Sequence, residues 1–270
     1  MDTKRIPAYD LAKGFAVLTM VFVNASTVFS GLIPYAHYGD GRAFPVFLML
    51  FGMGLSRSRA SKIQFLRRAG TLLTLGFLLS LFWPYEILHV YAGLLFIGLF
   101  IRRQPVSVIW VSFFISLVSF SILFLRGPIT HDHGWMIRYI YNGYFALLPQ
   151  SAFMISGMLF FRYLRHRKWW VSLGGILFTA TTAFSIMSMR YFSSHSSHKI
   201  VVAFCRLTPY PALPVYVGNA IGLSLVMLGL CMWCGHWVLW SPIQWIGRHS
   251  LWWYVGHVVV LGVLKKCLTS

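Results

Sequence analysis

The stretch DLAKGFAVLTMVFVN, residues 10–24, and the apolar run FPVFLMLFG, residues 44–52, are the most informative segments of this sequence. The first run predicts a membrane-spanning helix, because a span needs roughly 20 apolar residues. A loop rich in Gly and Pro follows it and carries His37. The pattern puts an uncharged amide, Asn24, deep in a membrane helix and an imidazole just beyond that helix.

The composition is typical of an integral membrane protein. Apolar residues make up 58% of the chain, charged residues make up 10%, and the mean hydropathy is +0.70. Water-soluble domains are much less apolar. The formal net charge of +18 comes from short Lys and Arg clusters between apolar runs. This distribution favours membrane lipids and a cytosolic anionic ligand as partners, and it does not indicate nucleic acid.

Hydropathy predicts an all-α, polytopic transmembrane bundle that forms a single domain over residues 1–270. Nine spans are expected. The count is left open between eight and ten, because nine spans would place Lys265 and Lys266 on the extracytoplasmic side, where basic residues are less common. Most basic residues then lie on one side, which predicts a cytoplasmic amino terminus. The predicted spans are 11–30, 43–56, 69–84, 86–101, 105–125, 140–161, 169–189, 212–234 and 243–263.

Asn24, His37 and Asp40 are the candidate catalytic residues. Asn24 lies about 21 Å along the helix from Asp10. A buried amide either makes an interhelical hydrogen bond, worth about 0.6–2 kcal/mol, or polarises a reacting group. Histidine titrates near neutral pH, so His37 suits a general base, with a solvated loop histidine as the alternative. Asp40 either orients the imidazole or is a solvated loop acid.

Glu86 and His89 are spaced three residues apart, so both lie on one face at the outer end of the predicted fourth span. Ionisable residues at membrane depth are costly and usually functional. The pair either binds substrate or forms a structural interface between helices. Arg42 is expected on the same outer side, and we assign these three residues to substrate binding.

The densest basic cluster lies between residues 57 and 68, on the predicted cytosolic side. It serves as a topology determinant, and it also suits the phosphates of a nucleotide-bearing acyl donor, because the planar guanidinium group matches phosphate oxygens. The predicted donor-binding residues are Lys13, Arg57, Arg67 and Arg68.

Other chemistry is not indicated. The sequence contains no Gly-rich phosphate loop, H-E-x-x-H motif or Ser-His-Asp signature, and no metal cofactor is expected. Cys231 and Cys234 match the C-x-x-C spacing, but they lie in an apolar run without a second ligand pair. They are better interpreted as packing residues.

Several segments resemble the transmembrane acyltransferase superfamily. KGFAVLTMVFVN (residues 13–24) and FPVFLMLFGMG (44–54) are similar to the first two helices of the branch that contains heparan-α-glucosaminide N-acetyltransferase. FLRR (65–68) through EILHVYAG (86–93) is similar to the YeiB-type bacterial proteins of the superfamily, and IGRHSLWWYVGH (246–257) resembles its final helix.

The resemblance implies transfer of an acetyl group from cytosolic acetyl-CoA to a sugar across the membrane. It places an Asn and a loop His at the active centre, which correspond to Asn24 and His37. The family's usual Arg before the glycine is Lys13 here, and the loop that carries His37 lacks the family's Trp-Asn neighbours.

We therefore expect a multi-pass acyltransferase of the bacterial cytoplasmic (inner) membrane. Its partners would be acetyl-CoA and an extracytoplasmic sugar or lipid-linked acceptor, with a homodimer left open. Direct transfer and a two-step route through an acyl-His37 both remain open. The alternatives are a transporter or flippase, in which the intramembrane polar residues line a translocation path, and a structural or assembly subunit.

Overall fold

The computed structural model describes residues 6–36, 39–83, 86–125, 146–163, 168–192, 199–208 and 213–269, and the regular structure within these ranges is helical. Two short 3-10 segments, Ser30–Leu32 and Val238–Trp240, precede α-helices. The α-helices are α1 (Pro7–Ser26), α2 (Ile33–Ala36), α3 (Ala43–Arg57), α4 (Lys62–Ser80), α5 (Leu88–Ile101), α6 (Val106–Leu125), α7 (Leu147–Tyr163), α8 (Lys168–Phe192), α9 (Lys199–Cys205), α10 (Pro214–Cys234), α11 (Ser241–Arg248) and α12 (Ser250–Thr269).

Local sequence explains where several helices begin. Pro7 and Pro214 stand at the starts of α1 and α10. Proline has no backbone N–H, and none is needed there, because the first N–H groups of a helix make no hydrogen bond within the helix. A capping box starts α4. The Ser61 hydroxyl accepts a hydrogen bond from the Gln64 backbone N–H at 3.3 Å, and the Gln64 side-chain oxygen accepts one from the Ser61 N–H at 3.0 Å.

A helix overlaps each of the nine predicted spans, which confirms the all-helical fold for the described residues. Four of the described helices are long and apolar enough to cross a membrane: Pro7–Ser26, Trp169–Phe192, Pro214–Cys234 and Ser250–Leu268. Other apolar helices are shorter. The 15 residues of α3 extend about 22 Å, less than the roughly 30 Å of bilayer hydrocarbon. The nine-span count and the orientation therefore stay predictions.

The last predicted span, 243–263, is two helices in the structure. The short helix α11 ends at Arg248, His249 leaves the helical conformation, and α12 begins at Ser250. Hydropathy over a long window does not register a break of this size, because the apolar character resumes directly after it. His249 therefore lies at the break itself, and His257 lies within α12.

Glycines allow three helix pairs to approach closely. A Cβ at Gly174 of α8 would stand 2.7 Å from the Gly222 carbonyl oxygen of α10, and one at Gly222 would stand 2.9 Å from the Gly174 oxygen. Gly52 of α3 lies equally close to the backbone of α7, and Gly157 of α7 lies equally close to the backbone of α3. Gly247 of α11 contacts the backbone of α1 in the same way. Small residues of this kind are typical of membrane helix interfaces, where close backbone packing replaces the hydrophobic effect.

Helix α1 lies at the centre of the bundle, against α3, α10, α11 and α12. Helix α3 packs in turn on α7, and α4 contacts both α5 and α12. The outer surface is strongly apolar: Phe77 and Phe100 are each 69% exposed, and Trp233 and Trp252 are each 71% exposed. Large exposed apolar surfaces on such helices fit a lipid environment.

Candidate functional site

The side chains of Asn24 and His257 are in contact across the interface of α1 and α12. The Asn24 Nδ2 atom lies 3.0 Å from His257 Nε2, and His257 Nδ1 lies 3.0 Å from the Trp253 carbonyl oxygen. His257 is buried, and Asn24 is half-buried. The amide that the sequence singles out is therefore part of a polar pair inside the bundle.

Tyr254 connects this pair to the start of α5. Its ring meets the His257 ring in an edge contact with centroids 5.4 Å apart. Its hydroxyl accepts a hydrogen bond from the Ile87 backbone N–H at 3.1 Å. Tyr254 itself is buried, so α12 and the first residues of α5 are held together by a polar contact away from water.

Glu86 and His89 interact, as their spacing suggests. The Glu86 Oε2 atom lies 2.6 Å from His89 Nδ1, and the same carboxylate accepts hydrogen bonds from the backbone N–H groups of Leu88 and His89. Glu86 is only 2% exposed, whereas the His89 side chain is 38% exposed. The carboxylate thus satisfies the first N–H groups of α5, and the imidazole of the pair is the part that a ligand can reach.

A cavity of about 620 Å³ opens between α1, α3, α4, α5 and α12. Its wall includes Lys13, Arg67 and Arg68, and it also includes Ile87, Leu88 and Tyr254. Gly76 of α4 packs against Glu86 at the start of α5, and Arg67 and Arg68 precede Gly76 by eight or nine residues. The two arginines and the start of α5 therefore lie at different ends of the cavity, about 12 Å apart along α4. Between the ends, the wall is mainly aliphatic and aromatic, with Phe51 and Tyr91 in edge contact at 5.3 Å. The cavity is of the size that small-molecule sites usually have.

Three of the four predicted donor-binding residues therefore share one cavity. Lys13 is half-buried, while Arg67 and Arg68 are exposed on α4. Arg57, the fourth, ends α3 and is not part of the cavity wall. Nearby, the Arg102 guanidinium stacks 4.1 Å above the Phe65 ring and donates to the carbonyl oxygens of Ser58 and Ala60, which fixes the turn between α3 and α4.

Arg42 and Asp40, two further predicted residues, are not part of the cavity wall. Arg42 donates from Nη1 to Asn219 Oδ1 at 2.6 Å, so its guanidinium is engaged within the bundle. Asp40 is exposed in the turn before α3. His37 lies outside the described residues. The roles assigned to these three residues stay predictions.

Sequence reasoning did not identify Asn219. This side chain is fully buried in α10, and its amide nitrogen donates to the hydroxyls of Thr181 at 3.1 Å and Thr182 at 2.8 Å. The Asn219 oxygen accepts the hydrogen bond from Arg42, so this one side chain connects α8, α10 and the turn before α3. An Asn inside an apolar run was the available signal, the same one that drew attention to Asn24.

Comparison with known proteins gives a partial match. The chain is 31% identical over 126 residues to a protein of Bacillus acidopullulyticus described as an uncharacterised 39.9 kDa protein in an amylase 3′ region. The match covers 38% of this chain, and the chain spans about a third, 36%, of the length of that curated relative. No family model matches the chain, and no solved structure matches it.

Proposed function

We propose that this protein is an integral membrane acyltransferase that moves an acetyl group from cytosolic acetyl-CoA to a hydroxyl or amine of an extracytoplasmic glycan acceptor. The observation that carries the proposal is the cavity, which is cationic at one end, apolar along its length and close to buried polar side chains at the other end. Acetyl-CoA fits such a cavity, because it has anionic phosphates at one end, a long and thin pantetheine arm, and a reactive thioester at the other end.

The cationic end supports binding of the donor's phosphates. Lys13, Arg67 and Arg68 line the cavity there, and Arg groups form paired, charge-assisted hydrogen bonds with phosphate oxygens. Lys contributes a point charge at the same end. The predicted cytoplasmic orientation of this end is part of the proposal, because coenzyme A is a cytosolic compound.

The spacing of residues along α1 supports passage of the pantetheine arm. Lys13 and Met20 are in the cavity wall, and Asn24, which is not, lies about one helical turn beyond Met20. Lys13 and Asn24 are eleven residues apart on α1, which corresponds to about 16 Å along the helix axis. An extended pantetheine arm is of comparable length. With its phosphates at Lys13, the thioester would come to the level of the Asn24–His257 pair.

The chemistry needs a donor for the developing oxyanion and a base for the acceptor. In the proposed step, the acceptor oxygen or nitrogen adds to the thioester carbon, the carbon–sulfur bond breaks, and coenzyme A leaves as the thiolate. The Asn24 N–H stabilises the oxyanion. His37 takes the acceptor's proton and returns it to the thiolate, so that the products are the acetylated acceptor and free coenzyme A.

The acceptor would be bound at the opposite side by Arg42, Glu86 and His89, with Asp40 orienting His37. Within the Glu86–His89 pair, the imidazole of His89 is the accessible part. The bacterial source of the partly matched relative supports a cytoplasmic membrane of a bacterium as the location. Four helices long and apolar enough to cross a membrane support the multi-pass arrangement.

The test is acetyl-CoA turnover by the purified protein in lipid, measured as release of free coenzyme A. Arg67→Ala combined with Arg68→Ala should raise the KM for acetyl-CoA by about tenfold or more, since each lost charge-assisted contact is worth roughly 1.5–3 kcal/mol when well formed. Arg103→Ala is the matched control, because Arg103 is exposed after α5 and lies outside the cavity wall. Absence of turnover and of acetyl-CoA binding in the unmodified protein would refute the proposal.

A further inference from the structure

The geometry points to His257 as a positioning residue that fixes the orientation of the Asn24 carboxamide, which lies on α1 about one turn beyond Met20 of the cavity wall. This inference rests on the proposed function, because it assigns a role in the reaction at that same site. His257 is not among the candidate site residues that the sequence indicates. The structure brings it 3.0 Å from the amide that the proposal places at the thioester.

The hydrogen-bond partners decide which ring nitrogen carries the proton. The Trp253 carbonyl oxygen can only accept, so His257 Nδ1 donates to it at 3.0 Å. A neutral imidazole has a single N–H, so Nε2 carries a lone pair and accepts from Asn24 Nδ2. The NH₂ group of the amide therefore faces His257, and its oxygen faces the other way.

This orientation leaves one N–H of the Asn24 amide for another acceptor. An amide nitrogen has two hydrogens, of which His257 takes one. The second is then available to the carbonyl oxygen of a thioester. Without an acceptor at Nε2, the amide could turn over and present its oxygen at that place, where it would repel the developing negative charge.

The imidazole is held firmly enough to impose this choice. His257 is 8% exposed, its ring contacts the edge of Tyr254, and the Tyr254 hydroxyl accepts the hydrogen bond of Ile87. Catalytic donors gain from being fixed before the reaction, because no reorganisation is then needed in the transition state. The Tyr254 contact also places this support directly at the wall of the cavity.

Substitution of His257 by two different amides separates positioning from packing. In His257→Gln the side-chain oxygen can take the place of Nε2 and accept from Asn24. In His257→Asn the amide is shorter and reaches only the position of Nδ1. His257→Ala removes both contacts. The matched control is the same set of changes at His249. Its Nδ1 atom makes a similar contact, 2.9 Å from the Trp245 oxygen of the preceding helix α11, but His249 is exposed.

The measurement is kcat and KM for acetyl-CoA, with melting temperature as the check on folding. We expect His257→Ala and His257→Asn to lower kcat about 100-fold, the size of a lost oxyanion donor, and to change KM little. His257→Gln should recover most of kcat, and the His249 variants should equal the unmodified protein. Unchanged kcat in folded His257→Ala, or equal loss in the Gln and Asn variants, would overturn the inference.

The two proposals fail in different ways. If the unmodified protein releases coenzyme A and the cationic end of the cavity affects KM, but the His257 variants all behave like the unmodified protein, only the role of His257 is refuted. If the unmodified protein neither binds nor consumes acetyl-CoA, the acyltransferase proposal is refuted, and the role of His257 in it falls as well.

Discussion

At the scale of single residues, Gly76 makes room for the buried carboxylate at the start of α5. A Cβ at this position of α4 would lie 2.9 Å from Glu86 Oε2 and 3.0 Å from the His89 backbone nitrogen. Neither atom can move without breaking the hydrogen bonds that begin α5. The Glu86–His89 pair can therefore form in this position only because residue 76 has no side chain.

Gly76→Ala should destabilise the protein by about 1–3 kcal/mol, as overpacking typically does. Gly70→Ala on the same helix is the matched control, because a Cβ there meets nothing within 4 Å. That change should be neutral or stabilising by up to about 1 kcal/mol, since Ala favours the helix over Gly. Thermal unfolding in detergent measures both, and equal melting temperatures would contradict the packing described for Gly76.

Asn24→Ala and His37→Ala test the two residues to which the proposed chemistry assigns direct roles. Each should lower acetyl transfer by about 100-fold or more, because an oxyanion donor or a general base contributes on that scale, while the protein still folds and binds acetyl-CoA. Release of coenzyme A measures the loss, and size-exclusion chromatography checks folding. Full turnover in both variants would remove these residues from the mechanism.

The sequence predicted single polar residues better than their partners. Asn24 stands out as an amide in an apolar helix, and Glu86 and His89 meet because a spacing of three puts them on one helix face. The partner of Asn24 is His257, 233 positions away. Local periodicity contains no information about such a contact, which depends on how α1 and α12 pack.

At the scale of secondary-structure elements, close helix crossings hold the bundle together. Gly174→Ala should destabilise the contact of α8 with α10 by about 1–3 kcal/mol or more, because a Cβ would stand 2.7 Å from the Gly222 oxygen. Its neighbour Gly175 provides the control, since a Cβ there meets nothing within 4 Å. Thermal unfolding should separate the two variants clearly, because Ala at position 175 meets no neighbour and favours the helix over Gly. A Gly175→Ala variant as unstable as Gly174→Ala would show that the close crossing is not responsible for the loss.

Long apolar helices were predictable and interruptions were not. Runs such as Pro214–Cys234 combine sufficient length with a proline at the start, so hydropathy finds them directly. The break at His249 changes only the backbone conformation of one residue. The cavity was not predictable either, because five helices from separate parts of the chain form its wall. Its cationic residues were identified from charge alone, and their convergence is a property of the fold.

For the complete bundle, the orientation in the membrane follows from the number of spans and the side on which the amino terminus lies. A cytoplasmic amino terminus and nine spans predict an extracytoplasmic carboxy terminus. Alkaline phosphatase fused after Ser270 should therefore be active in a bacterial host, and green fluorescent protein fused there should be dark. Fusions after Arg103, on the predicted inner side, should give the opposite result. Fluorescence at both positions would mean that the span count is even.

Binding of acetyl-CoA in the cavity between α1, α3, α4, α5 and α12 is the premise of the proposed reaction. The direct measurement is an experimental structure in lipid with a thioether analogue of acetyl-CoA that cannot transfer its acyl group. We predict phosphates beside Lys13, Arg67 and Arg68, the pantetheine arm between Phe51 and Tyr254, and the carbonyl oxygen within hydrogen-bonding distance of Asn24. A cavity filled only by lipid, with the analogue unbound or held elsewhere, would contradict the account.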